Sequence, residues 1–75
     1  MAKNQYQIMD MNGRKLYDLL LKCDGVKAVV QSSGSNGYDY FLRVENEIMK
    51  KVHFELEEML EPVETLLQRA VEHLK

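Results

Sequence analysis

The sequence predicts a small α+β domain, and three observations carry that expectation. A helical stripe of apolar residues runs through the C-terminal half. Two stretches rich in β-branched and aromatic residues occupy the middle, and a run of Ser, Gly and Asn joins them. The predicted architecture is two-layered, in the order α-β-β-α: a first helix, a β-hairpin and a long kinked C-terminal helix. The alternative is β-α-β-β-α, a truncated ferredoxin-like arrangement in which residues 4–9 form a strand beside the hairpin.

The first helix is read from "GRKLYDLLLKCDG", where Leu16, Leu19, Leu20 and Cys23 make an inner face. Gly25, just past the last periodic residue, suits a left-handed C-cap, and Lys22 suits the negative end of the helix dipole. Residues 4–12 fit two patterns. As helix, Tyr6, Met9 and Gly13 continue the stripe towards Leu16, and Asn4 with Gln7 three residues later resembles a capping box. As strand, "YQIMD" would precede a turn at Asn12-Gly13. The helix is preferred, although an interior Gly13 costs it about 1 kcal/mol.

The hairpin is read from "VKAVVQS" and "YDYFLRV". Val26, Ala28 and Val30 would share one face of the first strand; Tyr38, Tyr40, Leu42 and Val44 would share one face of the second. Directly opposed residues point to the same side of a sheet. A two-residue loop at Gly34-Ser35 would set Val30 against Asp39, mixing core and surface. An odd-length loop, centred on Ser35 or spanning Ser35-Asn36-Gly37, matches the faces and expects φ > 0 at Gly37. Val29 and Phe41 then lie on the opposite, exposed face.

The C-terminal helix is expected over about 46–74. Met49, Val52, Leu56, Met59, Val63, Leu66 and Ala70 recur at spacings of 3 and 4, with Leu60, Leu67, Val71 and Leu74 beside them. Pro62 kinks this helix or starts a nearly collinear second one. A competing strand pattern exists at Val52, Phe54 and Leu56 but explains far fewer residues.

Length and composition bound the rest. Seventy-five residues fit one domain over 1–75, and a chain this short buries only about 60% of its unfolded surface. A hydrophobic fraction of 45% argues against wholesale disorder. Ten Lys and Arg stand against twelve Asp and Glu, so the basic balance of a dedicated nucleic-acid binder is missing. One cysteine, Cys23, precludes an internal disulfide and fits a reducing compartment. No apolar run reaches the roughly 18 residues of a membrane span, and the N-terminus lacks the h-region of a signal peptide. The expected location is the cytoplasm, with no membrane contact.

No residue pattern points to catalysis. "QSSGSNGY" lacks the Lys and the following helix of a phosphate loop, so it reads as a turn. Cys23 near a helix C-terminus is poorly placed to ionise. His53 and His73 lie twenty residues apart with no second Cys, which is no metal-ligand spacing. Glu55, Glu57, Glu58, Glu61 and Glu64 read as a solvated helix face. Tyr38, Tyr40, Phe41 and Arg43 could stack bases, but Asp39 lies among them and core packing suits them better. No cofactor is expected.

The expected function is a small non-enzymatic protein-interaction or regulatory module that self-associates as a homodimer through its C-terminal helix. Leu56, Met59, Val63, Leu66, Ala70 and Leu74 would carry that contact, with Val29 and Phe41 as a second surface. The alternative is a nucleic-acid-binding accessory protein using Arg14, Lys15, Lys50 and Lys51.

Overall fold

The computed structural model describes residues 4–45 and 49–74. The chain is an α+β domain with the order α1 (Gln5–Leu21), β1 (Val26–Gly34), β2 (Gly37–Val44), β3 (Met49–Phe54), a short 3-10 turn (Glu57–Leu60) and α2 (Val63–His73). The three strands form one antiparallel sheet in the order β1-β2-β3. No helix among the described residues is long and apolar enough to cross a membrane.

Helix α1 starts where its caps place it. Asn4 accepts the Gln7 backbone N–H at 2.8 Å, and the Gln7 side chain accepts the Asn4 N–H at 2.9 Å. This capping box satisfies donors that the first helical turn leaves free. Met9, Gly13, Leu16 and Leu20 form the buried stripe. Residues 4–9 are therefore not a strand, and the ferredoxin-like alternative does not apply. The helix ends before Gly25, which takes φ +85°, the left-handed conformation open to glycine.

The C-terminal half corrects the sequence reading. The expected helix over about 46–74 is instead β3, the 3-10 turn and α2; residues 46–48 lie outside those described. Val52 and Phe54 are buried while Lys51 and His53 are exposed, the two-residue alternation of a strand. Met49, Val52 and Leu56 keep helical spacing only by coincidence over a short window. Pro62, with φ −55° and ψ 140°, stands immediately before α2 as its N-cap. Its carbonyl accepts hydrogen bonds from the N–H groups of Thr65 and Leu66. A proline lacks the N–H that a helix start leaves unpaired anyway, so it begins α2 without loss.

The hairpin corrects it again. The connection is the two-residue loop Ser35-Asn36, with Gly34 opposite Gly37. Val29 therefore faces Leu42, and Val30 faces Phe41. Val29 is buried, whereas Val30 is 57% exposed, the reverse of the expected faces. A bulge between Val26 and Ala28 reconciles this. One extra residue there returns Val26, opposite Val44, to the core side. The expectation assumed an uninterrupted strand. The positive φ at Gly37 holds, at +121°.

One core results. Met9, Leu16 and Leu20 from α1, Met59 from the 3-10 turn, and Leu66 and Ala70 from α2 pack on Val29, Tyr38, Tyr40, Leu42, Val52 and Phe54. All the sheet residues in this cluster point to one side, so both helices cover the same face. Tyr40 and Phe54 meet edge to face with centroids 6.0 Å apart, a geometry worth about 0.5–1.5 kcal/mol beyond burial. Asn12 ties α1 to the 3-10 turn, donating from Nδ2 to the carbonyls of Met59 (2.7 Å) and Glu61 (3.2 Å). Arg69 on α2 closes the same corner, with Glu58 at 3.0 Å and Glu61 at 2.7 Å.

Candidate functional site

Among the described residues, none outside the sheet covers the side away from the helices. Strand pairing arranges its side chains in three cross-strand rows: Ala28–Arg43–Met49, Val30–Phe41–Lys51 and Ser32–Asp39–His53. The middle row joins Val30 to Phe41, and the Lys51 ammonium stands 5.9 Å from the Phe41 ring centroid. A cation held over an aromatic face contributes about 0.5–1 kcal/mol at an exposed site. Met49, 56% exposed, flanks the row at one corner.

The third row holds an ionisable pair. His53 Nδ1 lies 2.7 Å from Asp39 Oδ1, and Nε2 lies 3.3 Å from Glu55 Oε1. The hydrogen bond to Asp39 is the main reason the imidazole pKa rises above its ordinary value. Glu55 acts in the same direction. The protonated ring can donate to both carboxylates at once.

Among the described residues strand β1 pairs with β2 alone, which makes it an open edge of the sheet. The tight loop fixes which backbone groups are free. With Gly34 and Gly37 as the closing hydrogen-bonded pair, the alternation of an antiparallel ladder turns Gly34, Ser32 and Val30 towards β2. The N–H and C=O groups of Val29, Gln31 and Ser33 then point outward. Beside this edge runs an open groove of about 550 Å³, lined by Arg14, Tyr17 and Asp18 from α1 and by Val29, Val30 and Gln31.

Most of the residues expected at an interface lie elsewhere. Met59, Leu66 and Ala70 have no exposed surface, and Val29 is 6% exposed. They are core residues of the single chain. Leu56, Val63 and Leu74 are partly buried against the same core. The long helical stripe that was to exceed its cover does not exist as one element. Phe41 alone of the group stands on the uncovered face. Sequence reasoning placed Val30 on the core face, weighed Arg14 and Lys51 only as nucleic-acid contacts, and passed over the Arg14–Tyr17–Asp18 grouping. The signal for the first lay in the "SNG" turn, which sets the register; for the last it lay in opposite charges four residues apart around a tyrosine.

The basic residues considered for nucleic acid are divided. Arg14 lines the groove at β1, while Lys50 and Lys51 belong to β3, the other edge strand. Successive strand residues point to opposite faces, so Lys50 and Lys51 do not share a surface. Cys23 donates weakly to the Leu19 carbonyl at 3.4 Å, and His73 Nδ1 lies 2.9 Å from the Arg69 carbonyl oxygen, both local helix-end contacts. Among the described residues no group of three or more His, Cys, Asp or Glu could hold a metal ion.

Two buried tyrosines anchor α1 to the sheet. Tyr38 donates to Asp10, and its pKa is pushed up to about 12, first by burial and then by that hydrogen bond. Tyr40 donates to the Gly13 carbonyl at 3.1 Å, and burial raises its pKa further. Both hydroxyls are donors used in packing α1 onto the sheet. Comparison with known proteins finds no family model, curated protein or solved structure that matches the chain.

Proposed function

We propose that the chain is a small non-enzymatic protein-interaction or regulatory module whose working surface is the uncovered sheet face together with the β1 edge. The observation that carries this reading is the exposure of Val30 at the point where the two surfaces meet. Val30 offers an apolar side chain to the open face beside Phe41, and the strand that bears it has unpaired backbone groups along its outer side. Backbone pairing at an edge supplies affinity, and alternate side chains supply selectivity.

The reading is tested by photo-cross-linking in cells that express the full chain. A photoreactive amino acid is placed at Phe41, at Val30, or at Glu72, an exposed residue of α2. Discrete protein adducts at positions 41 and 30, but not at 72, are expected. Equal labelling at all three, or none at 41 and 30, would remove the proposal.

A further inference from the structure

We propose that β1 pairs antiparallel with β1 of a second copy of this chain, about a two-fold axis passing beside Val30, to form one continuous sheet twice as wide. The inference rests on the interaction-module reading and names its partner.

Natural sheets protect their edges from pairing with charged residues, proline or very short strands. β3 is short and carries Lys50 and Lys51. From Ala28 to Gly34, β1 carries no charged residue and no proline. It is the edge left open to pairing.

The groove beside β1 says what it suits. Along α1, Arg14 and Asp18 stand on either side of Tyr17, and all three line the groove. Among the described residues neither Arg14 nor Asp18 has an ion-pair partner. A two-fold axis at the edge sets the two α1 helices antiparallel on the same side of the joined sheet. Arg14 of each copy then faces Asp18 of the other, twice, with the two Tyr17 rings between. Such a surface is self-complementary, the property a two-fold interface requires. An unrelated extended peptide has no reason to match it.

Register follows from the free backbone groups. Only pairings that match outward-facing residues with one another are allowed. Centred on Val30, Val29 exchanges hydrogen bonds with Gln31 of the second copy, and Gln31 with its Val29. Val30 then opposes Val30 in a non-hydrogen-bonded pair, with Cα atoms about 4.5 Å apart. The row Lys51–Phe41–Val30 continues across the axis into its own mirror sequence. Centred on Gln31, Val30 would face Ser32 and that apolar continuity would be lost. The Val30-centred register buries the exposed valine and is the one proposed.

Sedimentation equilibrium of the purified full chain tests this, with circular dichroism as the check on folding. The wild type is expected to dimerise, and Val30→Lys, which sets like charges directly opposite each other, is expected to weaken the dimer about tenfold or more. Arg14→Asp and Asp18→Arg should each weaken it alone. Mixed in equal amounts, these two single variants should recover it, because each supplies the charges the other lacks. A wild type that stays monomeric, or a mixture that recovers nothing, would overturn the proposal. If the purified chain is monomeric yet position 41 cross-links to a different protein in cells, self-pairing falls and the interaction-module reading stands. If neither experiment yields a complex, both fall.

Discussion

The Tyr40 hydroxyl donates a hydrogen bond to the backbone carbonyl of Gly13 across 3.1 Å, from the middle of the sheet to the middle of α1. So close an approach needs a residue without a side chain at position 13. A Cβ built there would stand 3.0 Å from Tyr38 Cε2, 3.1 Å from Gln31 Nε2 and 3.2 Å from Tyr40 Oη. Glycine is a poor helix former, by about 1 kcal/mol against alanine. The fold accepts that cost to bring the helix down onto two tyrosines.

Gly13→Ala therefore sets two effects against each other. Better helix propensity should stabilise by about 1 kcal/mol. Overpacking against ring and hydroxyl atoms should cost about 1–3 kcal/mol. The second effect acts on buried, hydrogen-bonded side chains with little room to shift, so a net loss of about 1 kcal/mol is expected in urea unfolding. Gly34→Ala, with nothing within 4 Å of its Cβ and no positive φ, is the control and should be close to neutral. A Gly13→Ala protein more stable than wild type would show that α1 can lift off the sheet freely.

The positive-φ glycines should separate strain from collision. At Gly25 (φ +85°) an added Cβ meets nothing within 4 Å. Gly25→Ala should cost only the left-handed penalty of about 1–2 kcal/mol. At Gly37 (φ +121°) the same atom would overlap the Phe54 carbonyl oxygen and crowd the His53 ring at 3.1 Å. Gly37→Ala should be the more damaging, because Phe54 is core and its strand cannot retreat without uncovering Tyr38. Equal losses in thermal melts of the two variants would contradict this account of the turn.

These glycines also mark how far the sequence could be read. The caps of α1 were legible because Asn4, Gln7 and Gly25 act through local chemistry. The core face of β2 was legible because Tyr38, Tyr40, Leu42 and Val44 alternate without interruption. β1 was not, because Val26, Ala28, Val29 and Val30 are all apolar and fit either face. The two-residue turn at Ser35-Asn36 decides for Val29 and Val30, and the bulge near Lys27 then returns Val26 to the core side; a bulge has no composition of its own. β3 was hidden because a short strand followed by a 3-10 turn mimicked the spacing of α2 beyond Pro62. The misread elements displaced the candidate surface with them. Once Met59, Leu66 and Ala70 are core, the uncovered face passes to Val30 and Phe41.

Asn12 holds the corner that the long-helix reading could not contain. Its Nδ2 group supplies both hydrogens to carbonyls of the segment joining β3 to α2. Asn12→Ala should cost about 1–3 kcal/mol, the usual penalty for stranding partly buried acceptors. Asn12→Asp should cost more at neutral pH, since a carboxylate cannot donate and would repel the same oxygens. Its extra penalty should shrink as the medium is acidified through about pH 4, where the new carboxyl regains a proton. Denaturant titrations at both pH values measure this. An aspartate variant as stable as the alanine variant at neutral pH would refute the role of Asn12 as a donor to these carbonyls.

The His53–Asp39 pair predicts a pH dependence whose sign is fixed. Asp39, and secondarily Glu55, raise the folded-state pKa of His53 above its ordinary value, which is about 6.5 in an unfolded chain. The folded protein therefore binds the proton more tightly than the unfolded one. Its stabilising contribution is fully present below about pH 6.5 and is lost as pH rises through the higher folded pKa. Asp39→Asn removes the leading cause and should flatten this part of the profile; Glu55→Gln should flatten it less. The His53 ring resonances, followed by NMR from about pH 5 to pH 9, should titrate later in the wild type than in Asp39→Asn. The wild type's thermal advantage over Asp39→Asn should narrow across the same range. An advantage that widens with rising pH would reverse the sign and exclude a charged His53 as the origin of the effect.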